Sequence, residues 1–392
     1  MDPRIRTTLI ALVSALAALC LGMFLGGHPN SLPGSIRDVF VEDTIATRTQ
    51  IIKDIRDNFY KPVTKKQLEQ ASYKGIVSSL HDRFSEYFTP AETKVFNQNL
   101  NAKFEGIGVT VQPEKRGLRI KTVFAKSPAE DAGLHTGDLI VGVNGKSIAG
   151  VPSDVSTAKI RGKAGTSVTL AYESPGRKGS RTVKVDRRQI DLPLVQSRML
   201  TRGGQKLAVV RLAEFSNGAH GQVRKAVDKA LKAGAKGIVF DLRGNPGGIL
   251  GEGRDVASIF IDKGLIVSTK GRTQSEQKLY AVGDAIDSKI PMVVLVDGGT
   301  ASAAEIVTGA LRDYKRATVV GQKTFGKGVF QEIQPLANDG LLKLTVGSYY
   351  LPKGSNLAGH GIEAQVRAPD DPKTRRDEAL PVALRTLLAK VR

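Results

Sequence analysis

From about residue 194 onward, short apolar strands alternate with helical segments, and this alternation restricts the fold more than any other feature of the sequence. Leu207–Leu212 and Gly237–Leu242 are predicted strands, and Gln222–Leu231 between them has the periodicity of an amphipathic helix. Strands that alternate with helices favour a largely parallel sheet covered by helices. The alternation continues in further predicted elements: helices Gly248–Ile261 and Ser302–Tyr314, strands Leu265–Thr269, Met292–Val296 and Ala317–Val320, and a hairpin of Val329–Ile333 with Leu341–Val346. We therefore predict an α/β core over residues 191–370.

The rest of the chain divides into segments of different character. Residues 101–190 contain short predicted strands separated by turns, including the hairpin-type turn Asn144-Gly145. Residues 28–100 are predicted to be mainly helical, and residues 371–392 form a basic C-terminal tail that is compatible with a helix. The predicted fold class is multidomain α/β (α+β), with an N-terminal membrane segment, a helical region, an inserted β domain and an α/β core.

The N-terminal 27 residues indicate export. Arg4 and Arg6 precede an uncharged run over residues 7–27 that is nearly all apolar at its centre, Leu9–Leu25. This length suits a signal peptide or a short membrane span, and the positive flank places the following chain outside the cytoplasm. Because no clear small-x-small cleavage site ends the run, an uncleaved anchor is favoured. Cys20 is the one cysteine, so a disulfide scaffold is excluded.

Charge and residue types exclude several function classes. The chain has 58 Lys and Arg against 38 Asp and Glu, a formal net charge of +20, with 5% aromatic residues and no tryptophan. Nucleic-acid-binding surfaces usually combine a basic stripe with interleaved aromatics, whereas here the basic residues are scattered. Gly321–Lys327 resembles a P-loop, but Gly328 stands where a hydroxyl would hold magnesium, and a strand is predicted next. We expect no nucleic-acid partner, metal or other cofactor.

Three glycine-rich segments carry the groups that acyl transfer requires: Asp241–Gly248, Gly298–Glu305 and Lys323–Gly328. Ser302 is predicted at a strand-to-helix turn, where the positive helix end and nearby glycine N–H groups can stabilise an oxyanion. Lys327 can serve as a base without histidine if burial lowers the pKa of its amine. Each segment alone is equally compatible with a turn, an N-cap or a surface lysine.

A histidine-based triad is the alternative. The chain contains no Gly-x-Ser-x-Gly elbow. His220 lies where a helix is predicted to begin, which favours a surface position. His360 lies in a glycine-rich stretch, and its role stays open.

Taken together, the three segments resemble the carboxyl-terminal processing peptidases, the tail-specific serine proteases with a Ser/Lys dyad. The spacing of Ser302 and Lys327 fits that family, as do the segments Asp82–Tyr87, Gly347–Tyr350 and Gly359–Ile362. The resemblance implies that Ser302 is the nucleophile and Lys327 the general base. It also implies that Gln331 orients Lys327 through a hydrogen bond.

The resemblance assigns roles to further positions. The backbone N–H groups of Gly248 and Ala303 would form the oxyanion hole, and Asp313 on the helix after the serine would have a supporting role. The chain departs from the family pattern after Ile362, where Ala364-Gln365 replace the usual Pro-Asp. This departure leaves the local turn geometry open.

The strand-rich insert, residues 101–190, resembles a bacterial PDZ domain, with its β-sandwich or barrel fold. The resemblance rests on Gly106-Ile107-Gly108-Val109, Ser127–Leu134 and Gly137–Ile140. It implies that the turned backbone of Gly106, Ile107 and Gly108 holds a peptide carboxylate and that the strand from Val109 pairs with the extended peptide. Arg161 is the candidate for reporting the state of this domain to the peptidase core, and an ordinary surface arginine is the alternative.

These features predict a serine endopeptidase of the cell envelope, anchored by its N-terminal segment, with the catalytic part on the periplasmic or extracellular face. Its PDZ domain would recruit protein substrates through exposed C-terminal tails. The alternative is a non-catalytic PDZ scaffold or chaperone. A homo-oligomer and an adaptor protein are further partners that the sequence leaves open.

Overall fold

The computed structural model describes residues 12–18, 21–22, 43–177, 179–370 and 376–391. Most of the apolar N-terminal run therefore lies outside the described residues, although 12–18 and 21–22 are helical. None of the helices in the described part has both the length and the apolar character needed to span a bilayer. The chain divides into two compact units, residues 1–89 with 341–343 and residues 90–340 with 344–392.

The first unit contains helices α1 (Asp43–Asn58) and α2 (Lys65–Ser78) and strand β1 (Glu86–Phe88), which pairs antiparallel with residues 341–343. Thr64 begins α2 through a capping box with Gln67. The Asp82 carboxylate accepts hydrogen bonds from Phe84 N (3.2 Å) and Ser85 Oγ (2.6 Å). The motif over residues 82–87 is therefore a turn that leads into β1.

The second unit begins with α3 (Pro90–Leu100), so this helix is separate from the helical region in which the sequence analysis placed it. The strand-rich domain follows with β2 (Lys103–Gly106), β3 (Val109–Glu114), β4 (Gly117–Val123), α4 (Pro128–Asp131), β5 (Leu139–Val143), β6 (Lys146–Ser147), α5 (Ser153–Ile160), β7 (Ser167–Glu173), β8 (Arg181–Asp186) and β9 (Arg188–Asp191). Its antiparallel sheet has the order β3-β4-β5-β7-β8, and β6 pairs with β5. Ile120, Ile140 and Leu170 are fully buried at its centre. The predicted Asn144-Gly145 turn is confirmed, because both residues have positive φ, 50° and 76°.

The α/β core contains β10 (Val195–Arg202), β11 (Gln205–Leu212), α6 (Ala219–Lys232), β12 (Ile238–Asp241), α7 (Leu250–Ser258), β13 (Leu265–Gly271), β14 (Gln277–Tyr280), β15 (Met292–Val296), α8 (Ala303–Asp313), β16 (Thr318–Gly321), β17 (Val329–Pro335), β18 (Leu341–Tyr350), β19 (Val366–Arg367) and α9 (Ala379–Leu388). The main sheet has the order β10-β11-β12-β15-β16-β19. Strands β11, β12, β15, β16 and β19 run parallel, and β10 is antiparallel to β11. A second sheet joins β13, β14, β17 and residues 344–350 of β18.

The two faces of the main sheet bury alternate residues of the same strands. Phe240 and Val294 belong to the hydrophobic cluster that includes α6, α7 and α8, whereas Val239 and Val293 belong to the cluster that includes α9. This alternation follows from the two-residue repeat of a strand. Because both faces are covered, the strands are continuously apolar, as parallel sheets require.

The described C-terminal residues, 376–391, include a helix that packs on this core, whereas the sequence analysis treated residues 371–392 as a separate tail. Ala383 and Leu387 of α9 are fully buried against the sheet. Arg243, which follows β12, pairs with Asp377 (2.9 Å) and Asp370 (2.8 Å) on either side of the segment that leads into α9. The helix therefore closes one face of the sheet.

Candidate active site

Ser302 lies at the turn between β15 and α8, directly before the first residue of the helix. Its backbone has φ 55° and ψ −120°, a sparsely populated conformation for a residue with a side chain. Such strain persists only where surrounding contacts enforce it. The turn leaves Ser302 partly exposed, while Ala303 and the other residues of α8 except Arg312 are buried.

The carboxylate of Glu305, in the first turn of α8, supplies these contacts. Its side chain is fully buried. One carboxylate oxygen, Oε2, accepts hydrogen bonds from the backbone N–H groups of Ser302 (2.9 Å) and Lys327 (3.0 Å). The other, Oε1, accepts bonds from Thr324 Oγ1 (2.6 Å) and Gly326 N (2.8 Å). Because one oxygen binds both backbone nitrogens, the serine and lysine segments are held within two hydrogen-bond lengths of each other.

The amino group of Lys327 is oriented by a chain of side-chain contacts. Lys327 Nζ donates to Gln331 Oε1 at 2.7 Å, and Gln331 Nε2 donates to Thr345 Oγ1 at 3.1 Å. Gln331 lies on β17 and Thr345 on β18, and the pairing of these strands brings the two side chains together. The amide of Gln331 therefore presents its oxygen to the lysine.

The glycine-rich segment after β12 lies beside the serine. A Cβ atom on Gly247 would come within 2.7 Å of Ser302 Cβ and 2.9 Å of Ala303 N, so only glycine permits this approach. Gly247 O accepts a bond from Phe215 N, and Ile249 N donates to Phe215 O, both at 2.8 Å. The carbonyl of Gly247 and the N–H of Ile249 both point toward Phe215. Because backbone groups alternate in direction along an extended chain, the N–H of Gly248 points to the opposite side. Neither this N–H nor that of Ala303 has a hydrogen-bond acceptor among the described residues.

Asn245 fixes the same segment from inside the core. Its side chain donates to Leu212 O (2.9 Å) and accepts from Gly247 N (2.9 Å), and its own carbonyl accepts from Ala301 N (2.9 Å). It is fully buried. Asn245 therefore connects the Gly247–Gly248 backbone with the residue that precedes Ser302.

A second glycine-rich stretch supports the lysine segment. Gly359 N donates to Gly326 O (3.0 Å), and Ile362 N donates to Thr324 Oγ1 (2.7 Å). Gln365, at the position where the sequence departs from the family pattern, accepts a bond from Val319 N at 2.9 Å through its side chain. The departure thus provides a contact at the edge of the main sheet.

Other residues singled out by sequence lie elsewhere. His220 opens α6, where its backbone N–H donates to Glu252, and His360 is exposed. Asp313 ends α8, about 16 Å along the helix from Ser302 at 1.5 Å per residue, and pairs with Arg312. Any supporting role of Asp313 is therefore structural. The P-loop-like segment leads into β17, a strand, so its geometry is not that of a phosphate-binding loop.

The sequence analysis did not assign roles to Glu305, Thr324 or Asn245. Glu305 was detectable, because Ser302-x-x-Glu305 at the start of a helix is a capping-box pattern. Thr324 and Asn245 act through partners that are distant in sequence, and no local pattern marks them.

Gly106, Ile107, Gly108 and Val109 all line one groove, a cavity of about 430 Å³. The strand β3 and the helix α5 form its sides, through residues that include Thr110, Val111, Thr157 and Ile160. The N–H groups of Ile107 and Gly108 have no acceptor in the described part of the chain. This is the arrangement that a peptide carboxylate requires.

Gly108→Ala is expected to destabilise the strand-rich domain by roughly 2 kcal/mol and to weaken peptide binding, because φ is +85° and the new Cβ would lie 2.3 Å from Ser127 Cβ. Gly106→Ala is the matched control for stability: its nearest neighbour, in Phe104, lies at 3.4 Å, so little change in the free energy of unfolding is expected. Chemical unfolding measures the loss of stability, and peptide titration of Gly108→Ala measures the loss of binding. An equal loss of stability in the two variants would contradict the steric argument.

Arg161 lies at the C-terminal end of α5, lines the groove and is exposed. Within the described residues its side chain makes no ion pair. Its role in regulation stays a prediction.

Comparisons with known proteins agree with this organisation. Residues 206–368 match the model of Peptidase family S41, and residues 97–173 match that of the PDZ domain. The chain is 38% identical over 315 residues to a "Probable CtpA-like serine protease" of Staphylococcus saprophyticus, covering 80% of this chain and 63% of the relative. A protein of the same name from Staphylococcus aureus is 37% identical over 333 residues, covering 84% and 66%. The chain thus spans somewhat less than two thirds of the length of these curated relatives.

A solved structure shares the fold. A "Putative S41 protease" from Bacteroides fragilis superposes with a TM-score of 0.54 at 19% identity, covering 87% of this chain and 97% of that one. The architecture of the second unit, the groove and the family matches lead to one assignment. The chain combines a peptidase domain of family S41, residues 206–368, with a PDZ domain, residues 97–173.

Proposed function

We propose that the protein is a serine endopeptidase that cleaves by a Ser302/Lys327 dyad and recognises the C-terminal tails of protein substrates through its PDZ domain. The observation that carries the proposal is the joint placement of the two groups. Glu305 holds the backbones of both, and Gln331 accepts a bond from Lys327 Nζ at 2.7 Å. The name of the staphylococcal relatives supports the same activity.

The proposed reaction proceeds through an acyl-enzyme. Neutral Lys327 accepts the Ser302 hydroxyl proton while Oγ attacks the scissile carbonyl carbon. The N–H groups of Gly248 and Ala303 stabilise the resulting oxyanion, and the N-terminus of α8 adds its positive potential. Lys327 then protonates the leaving amine, and water hydrolyses the acyl-enzyme with Lys327 as base again.

We further propose that the catalytic part lies outside the cytoplasm. This proposal is supported by the N-terminal sequence, in which Arg4 and Arg6 are followed by an uncharged run over residues 7–27. Such a pattern is typical of an export signal or anchor. In this compartment the substrates would be unstructured or partly unfolded envelope proteins. The groove between β3 and α5 would receive their free C-termini.

Tail-dependent cleavage tests the proposal. The full-length chain in detergent is incubated with an unfolded protein that ends in three apolar residues, and with the same protein ending in three aspartates. We expect at least tenfold faster cleavage of the apolar-tailed substrate, because the groove lining is mainly apolar. Binding of the apolar tail without any cleavage would favour the alternative, a PDZ scaffold or chaperone. Equal cleavage of both substrates would remove the tail-recognition role.

A further inference from the structure

The groove that would receive the substrate tail has a further wall besides the strand and the helix that flank it. Besides β3 and α5, it is lined by Val95, Gln98 and Asn99 of α3 and by Leu192. Helix α3 begins seven residues before the PDZ match, and its residues 97–100 lie within that match. We propose that α3 is a third wall of the tail-binding groove and contacts the bound tail, so that tail selection is shared between the PDZ domain and a helix attached to the peptidase core. This inference rests on the proposed tail-binding function.

The surface of α3 fits a role in binding more than a role in packing. No residue of α3 is fully buried, although a helix of this length normally buries one face. Val95 is 48% exposed and is one of the apolar residues, with Phe104 and Ile160, that line the groove. An exposed valine among apolar groove residues would lose its contact with water when an apolar tail residue binds.

The C-terminal end of α3 is attached to the peptidase core. Ser216 Oγ donates to Asn99 O (3.1 Å), and Asn217 N donates to Leu100 O (2.8 Å). The neighbouring Phe215 forms the two backbone bonds with Gly247 and Ile249 described above. Helix α3 is therefore hydrogen-bonded to the segment that lies beside the Gly247–Ile249 backbone and Ser302. A bound tail would therefore touch the PDZ groove and a helix that is hydrogen-bonded to the peptidase domain.

The lining also indicates the chemistry of the tail. Val95, Phe104, Ile107 and Ile160 offer apolar contacts, and the N–H groups of Ile107 and Gly108 suit a terminal carboxylate. Gln98 and Asn99 add amide groups on the α3 side. We therefore expect the preferred tail to have a free carboxylate and apolar side chains, with the side chain that faces α3 selected by Val95.

The test compares Val95→Glu with Asn97→Glu in full-length protein that also carries Ser302→Ala, so that the peptide is not cleaved. Asn97 lies on the same helix and lines the neighbouring groove instead, so the control adds the same charge to the same helix. The probe is a fluorescent ten-residue peptide that ends in three apolar residues, with its amidated form as a second probe. We expect Val95→Glu to raise the Kd of the free-acid peptide at least fivefold and Asn97→Glu to change it less than twofold.

Val95→Ala is a second variant that should fold even if Val95→Glu does not, because alanine has a high helix propensity. It is expected to raise the Kd about threefold for a leucine-ended tail and less for an alanine-ended tail. Equal Kd values for the parent and both Val95 variants would overturn the third wall while leaving tail recognition intact. Absence of peptide binding by the parent would overturn tail recognition and the third wall together.

Discussion

Replacing Ser302 or Lys327 by alanine is expected to lower kcat/KM for an apolar-tailed protein substrate by at least about 10⁴-fold, since the groups of a catalytic unit fail together when one is removed. The two single variants and the double variant should therefore have nearly equal residual activity. The measurement is kcat/KM for cleavage of the tailed substrate by each variant, with the Kd of each variant for the tail measured in parallel. The Kd values should not change, because the tail-binding groove is lined by other residues.

Lys323→Ala is the matched control for the lysine. Lys323 lies in the same segment, but its side chain is 52% exposed and pairs with Glu363 at the surface. Its substitution should leave activity within about twofold, because exposed ion pairs contribute little. Cleavage that survives Ser302→Ala and Lys327→Ala would show that another residue is the nucleophile. Additive rather than equal losses in the double variant would show that the two residues do not act as one unit.

Glu305→Gln is expected to lower kcat/KM by roughly 10²-fold and to reduce the free energy of unfolding by about 2–3 kcal/mol. The carboxylate receives two hydrogen bonds at each oxygen. An amide has only one acceptor oxygen, so its NH₂ group would face two donors in a fully buried site. Either the Ser302–Lys327 pair or the Thr324–Gly326 pair of donors would lose its acceptor.

Thermal or chemical unfolding and steady-state cleavage measure the two effects separately. Glu363→Gln is the control of the same chemical type, because the Glu363 side chain is 73% exposed. It should change neither quantity appreciably. If Glu305→Gln lowered stability while kcat/KM stayed at the parent value, Glu305 would be a packing element without influence on the dyad.

Much of the fold was predictable where periodicity is local. The strands Leu139–Val143 and Met292–Val296 have the predicted bounds, since their apolar runs are short and clearly delimited. Strand β10 was not predicted, because none of its residues is buried and its sequence lacks a regular apolar alternation. It forms because it pairs antiparallel with β11, with Val195 opposite Leu212 and Arg202 opposite Gln205.

The sequence pattern also could not show which domain the helices α3 and α9 belong to. Both are helices by their own sequences, but α3 groups with the second unit and α9 packs on the main sheet. The sequence marked residues 371–392 as a basic tail compatible with a helix. It did not show that the apolar face of α9 packs on the main sheet.

The sequence by itself determined the alternation of strands and helices, the glycine-rich turns and the residue types Ser302, Lys327 and Gln331, because these depend on neighbours along the chain. Only the tertiary structure decided that Glu305 binds both the serine and the lysine segments, and that α3 lines the peptide groove. The hydrogen-bond donors of Glu305 lie up to 22 positions away in sequence. Such contacts depend on how packed strands and helices place distant backbone groups around one buried carboxylate, which no local pattern specifies.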